Sequence, residues 1–182
     1  MIPIYENGGG RGIGHNLRSF IDRFADICEQ HAHGGDSRFA LLFYDFRDHA
    51  LREILEDPGV FATLDRLAGT QLGLFFLHKA DSPGLVDSFN AYFLTLLGVR
   101  ETARPPCMVF FRVRQERVED VEVAQLEQAT LIHGLHELYR TIEWYLARDR
   151  AKAARPAAVA WPAVAPNVVP LAEFRRSLRR VL

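Results

Sequence analysis

Arg104-Pro-Pro-Cys-Met-Val-Phe-Phe-Arg-Val113 is the stretch on which the reading of this chain turns. Met108, Val109, Phe110, Phe111 and Val113 make an apolar strand, and prolines lack the N–H that a central strand needs, so Pro105 and Pro106 belong at its entrance. A tight entry into a buried strand fits a cis Pro105–Pro106 bond, because inverting an X-Pro bond costs only about 0.5–1 kcal/mol.

Outward from this junction the chain alternates in period. Upstream, residues 16–33 place Leu17, Phe20, Ile21, Phe24, Ile27 and Cys28 at helical steps, with Asn16 to cap the helix and Gly34-Gly35 to stop it. Residues 39–46 form a nearly unbroken apolar run, as expected of a strand covered on both faces. Residues 49–55 and 59–67 are helical, divided at Asp57-Pro58-Gly59. Residues 71–78 form a second buried strand, and residues 85–97 a helix ending at Gly98. Downstream of the junction, residues 118–123 read as an acidic edge strand hairpinned onto residues 107–113, and Glu119, Asp120 and Glu122 as a solvated edge. Residues 131–147 form the longest helix.

Length and charge narrow the function classes. At 182 residues with 48% hydrophobic side chains, the chain suffices for one sizeable core. A net charge of −1 gives no polyanion-binding field, so nucleic acid is not an expected partner. No window holds the apolar run of a membrane span. Two distant cysteines, Cys28 and Cys107, without an apolar leader, suggest a reducing, cytoplasmic setting.

The order α, β, α, β, α, prolines, β, β, α resembles the thioredoxin fold with an additional N-terminal helix. In that family a cis-proline opens the third core strand, and residues 97–111 look like that junction, with Pro106 as the family's proline. The resemblance implies an α/β, thioredoxin-like domain over residues 16–152, with a central four-stranded mixed sheet flanked by helices. Residues 1–15 are expected to be a flexible Gly-rich arm. Their glycines match neither phosphate-loop spacing, and the run lacks a proper preceding strand in a βαβ unit. Residues 153–182 are expected to be an Ala/Pro-rich strap and a basic amphipathic helix.

The chain departs from the family where it matters most. Thioredoxins carry Cys-x-x-Cys at the start of the helix after the first core strand, where the helix N-terminus stabilises a thiolate. Here Phe46-Arg-Asp-His-Ala-Leu51 stands in that place, without sulfur. The resemblance therefore implies a redox-inactive binding or adaptor protein. Its groove would be lined by Arg47, Asp48, His49, Arg104, Pro105, Pro106 and Cys107. The competing class is an enzyme, either a thiol- or glutathione-dependent oxidoreductase or transferase built on Cys107, or a hydrolase using His49. Against the second, Asp48 is well placed as a plain helix cap.

Two further patterns remain. His133 and His136 stand three apart on the last long helix, but the flanking order matches no metal-binding helix, and no metal or cofactor is expected. In the tail, Leu171, Phe174, Leu178 and Leu182 alternate with Arg175, Arg176, Arg179 and Arg180. Such a short helix is marginal alone, so it is expected to dock on its own domain, another protein or a sister subunit. A membrane surface ranks third.

Overall fold

The computed structural model describes residues 2–5, 24, 26, 37–78, 83–114, 116–127, 131–151, 169–170, 172, 173 and 176. Their order is β1 (Ile2–Tyr5), β2 (Ser37–Phe43), α1 (His49–Glu56), α2 (Pro58–Ala68), β3 (Gly73–His78), α3 (Pro83–Leu96), β4 (Cys107–Arg114), β5 (Arg117–Gln125), α4 (Leu131–Ala151) and β6 (Val169–Pro170). The fold is α/β around one mixed sheet ordered β1-β3-β2-β4-β5-β6. The four strands expected from the sequence are its inner four. β2 and β3 run parallel, while β4 is antiparallel to β2 and β5 is antiparallel to β4. The Pro105–Pro106 bond at the entrance to β4 is cis.

Both outer strands correct the sequence reading. Ile2–Tyr5, expected within a flexible arm, instead pairs parallel to Phe75–His78 of β3. The glycines begin only at Gly8, and the apolar residues before them meet a strand that would otherwise be an open edge. A strand therefore does precede the Gly-rich run; residues 6–15 lie outside the described residues. β5, expected to be the edge, is itself flanked by β6 through Arg117 with Pro170 and Val118 with Val169. Its acidic residues are also less free than a solvated edge implies. Asp120 lies 3.6 Å from Arg112 and Glu119 lies 3.3 Å from Arg114. Asp120 has a φ of 52°, next to the register shift between Phe110 and Arg112, the left-handed conformation that one class of β-bulge adopts.

The break at Asp57 is a change of helix. The Asp57 N–H closes α1 on the Glu53 carbonyl, and its Oδ1 accepts the Gly59 and Val60 N–H groups at 2.7 and 3.1 Å to open α2. Pro58 then occupies the first turn, where its missing N–H costs nothing.

Because both faces of the sheet are covered, side chains of β2 and β4 are buried on both. Alternation and register put Phe39, Leu41 and Phe43 with Phe111, Val109 and Cys107 on one face. There Phe24 makes edge-on contacts with Phe39, Phe75, Phe93 and Phe111, at centroid separations of 5.1 to 6.3 Å. Phe89 of α3 packs against Phe43 on the same side. On the other face Phe110 stacks on Tyr145 of α4 at 4.2 Å, and Phe61 of α2 meets Phe76 at 6.5 Å. Of the expected first helix, Phe24 and Asp26 are described, both helical.

Candidate binding site at the proline end of the sheet

Phe43, the last residue of β2, pairs with Cys107, the first of β4, so the loop after β2 and residues 104–106 leave the sheet at the same end. The loop is held by buried polar bonds. The Tyr44 hydroxyl donates to the Leu77 carbonyl at 2.8 Å, and Asn90 of α3 donates through Nδ2 to the Tyr44 carbonyl at 2.8 Å. Burial keeps the Tyr44 phenol protonated well above its ordinary range. The Asp45 carboxylate then accepts the Arg47 N–H at 2.8 Å, and its carbonyl accepts the Asp48 N–H at 2.9 Å, which turns the chain.

Asp48 caps α1, its Oδ1 accepting the Leu51 N–H at 3.1 Å. His49 is the first residue of that helix and is exposed, as is Arg47. The start of α1 is thus occupied by a capping carboxylate. Behind the loop, the Arg52 guanidinium lies 4.3 Å from the centre of the half-buried Phe46 ring.

The other side of the site is a lip formed by Arg104, Pro105 and Pro106. Arg104 is exposed and both prolines are half-buried. Gln125 of β5 organises this lip. Its Oε1 accepts the Arg104 N–H at 3.1 Å, and its Nε2 donates to the carbonyls of Arg104 and of Pro106, the latter at 3.0 Å. The Leu126 N–H adds a bond to the Pro106 carbonyl at 3.0 Å. Since prolines carry no N–H, none of residues 104–106 has a backbone donor left for an incoming strand.

Cys107 does not join the other groove residues at the surface. It is fully buried and free of any disulfide, and burial pushes its thiol up to about 12. The alternation that turns Val109 and Phe111 into the Phe24 face turns Cys107 the same way, so it does not line the groove. Because the thiolate is the reactive form, Cys107 is expected to be unreactive in the folded chain. In a Cys28→Ser variant, iodoacetamide is expected to leave Cys107 unmodified under native conditions. Modification should appear in step with urea unfolding; rapid native alkylation would contradict the burial.

The chain matches no protein-family profile, no curated protein and no solved structure.

Of the expected groove residues, Arg47, Asp48, His49, Arg104, Pro105 and Pro106 therefore share one end of the sheet, and Cys107 lies beneath it. Tyr44, Asn90 and Gln125 were missed. Asn90 was detectable as a polar residue within the apolar stripe of Val86, Phe89 and Phe93, whereas nothing local distinguishes Gln125. Among the described residues no three His, Cys, Asp or Glu side chains are grouped to hold a metal ion, and no helix is long and apolar enough to cross a membrane. His133 and His136 are both exposed. The tail residues Leu171, Phe174, Arg175, Leu178, Arg179 and Leu182 lie outside the described residues. A groove of about 520 Å³ lies elsewhere, between the end of α2 and α4, lined among others by Arg66, Gln71, Glu143 and Leu146.

Proposed function

We propose that this chain is a thioredoxin-like binding module without thiol chemistry, which engages another protein or a sister subunit at the proline end of its sheet. The observation that carries this reading is the burial of Cys107, because it removes the nucleophile on which the competing enzyme would depend. The strand order β1-β3-β2-β4-β5, with β4 and β5 antiparallel to their neighbours, supports the likeness to thioredoxins. The capped helix start at Asp48 supports the loss of their redox role. The exposed Arg47, His49 and Arg104, beside the two prolines, supply the contact surface. A cytoplasmic setting and a second contact through the basic tail belong to the same reading, from the sequence alone.

Placing the photo-crosslinking residue p-benzoylphenylalanine at Arg104 tests it, with Glu143, exposed on α4, as the control. One adduct of defined mass is expected from position 104 and none from 143, with loss of that adduct when Arg47 is changed to Glu. Equal adducts from both positions, or none from either, would refute the assignment of the surface.

A further inference from the structure

The lip is joined to α4 through three consecutive residues at the end of β5. Gln125 and Leu126 hold residues 104–106, as described above. The next residue, Glu127, donates its N–H to both carboxylate oxygens of Glu137 on α4, at 2.8 and 2.9 Å. Glu137 is 6% exposed, which is unusual for a carboxylate. We infer that Glu137 is an acid-sensitive latch for the proline lip: its carboxylate fixes the end of β5, and protonation loosens that end and, through Leu126 and Gln125, residues 104–106.

A hydrogen bond to an ionised acceptor is roughly twice as strong as one between neutral groups. Protonation removes the charge and turns one of the two oxygens into a donor, so the Glu127 N–H keeps one neutral acceptor. The charges acting on Glu137 are His133, one turn earlier on α4, which favours the carboxylate, and the Glu127 side chain, which opposes it. Burial, with the Glu127 charge acting the same way, outweighs the Glu127 N–H and His133 and raises the Glu137 pKa above the ordinary glutamate value.

The sign separates this latch from ordinary acid unfolding. A carboxylate whose pKa is raised by folding favours the fold most when protonated, and that contribution is lost as pH rises from the ordinary glutamate value through the raised one. Acidification therefore stabilises the fold through this residue while weakening its one local bond.

The inference rests on the reading of the lip as the binding surface, but its test needs no ligand. Amide hydrogen exchange followed by NMR from about pH 7 to about pH 4, corrected for intrinsic rates, spans the carboxylate range. Protection at Glu127 and Arg104 is expected to fall together about fivefold on acidification, as fits the loss of a charge-assisted bond. In Glu137→Gln, which keeps an acceptor but cannot ionise, both should stay level. Unchanged protection in the wild type, the same fall in the Gln variant, or a fall at Glu127 without one at Arg104 would each overturn the latch. Failure to find a partner at the lip would leave this result untouched.

Discussion

Replacing Phe24 by alanine is expected to cost about 3–5 kcal/mol, the range for deleting a buried aromatic ring from a core that cannot collapse around the gap. Phe24 is fully buried and touches rings from β2, β3, α3 and β4. The strand rings are fixed by sheet register and Phe93 by its helix, so none is free to move in and fill the space. Edge-on aromatic pairs contribute about 0.5–1.5 kcal/mol beyond area burial, and the substitution removes four such contacts at once. Domains are stable by only about 5–15 kcal/mol, so much of the margin would go. Urea unfolding monitored by circular dichroism checks this, with Phe24→Leu losing clearly less. A loss under about 1 kcal/mol would mean that the residues around Phe24 do not depend on its ring.

The second large effect is expected at Gly73, where β3 begins. A Cβ there would stand 2.8 and 3.1 Å from ring atoms of Phe39 and 3.3 Å from the Phe75 ring. Phe39 is stacked on Phe111 at 5.6 Å and braced by Phe24, so its ring has nowhere to retreat. Gly73→Ala should therefore destabilise by about 1–3 kcal/mol through overpacking. Gly84, exposed on α3 with nothing within 4 Å of an added Cβ, is the control. There alanine is expected to leave stability unchanged or raise it by about 0.4–1 kcal/mol. Equal effects at the two sites would show that the ring contact is not what matters.

The inner sheet was legible because its strands are long apolar runs separated by helical periods, and the two prolines marked the entrance to β4. The outer strands were not. Four residues in β1 and two in β6 show no period of their own, and both are strands only because β3 and β5 offer them a partner. Cys107 illustrates a different limit. A strand buried on both faces gives no polar alternation, so nothing in Cys107-Met-Val-Phe-Phe111 tells which face meets which layer, and only the general tendency of cysteine to be buried favours core over groove for the thiol after the two prolines. Asp48 was legible as a cap because its type and position suffice. Gln125 was hidden because its role lies in a side chain reaching around the end of a sheet to a backbone 21 positions away.

The two-residue strand β6 also sets where the polypeptide leaves the sheet. It runs antiparallel to β5, from Val118 toward Arg117, so the polypeptide departs Pro170 at the hairpin, whereas Gln125 stands at the opposite extremity of β5. At about 3.4 Å per residue, eight steps along β5 separate the two by roughly 27 Å. The basic terminus therefore starts from the end of the sheet remote from the prolines.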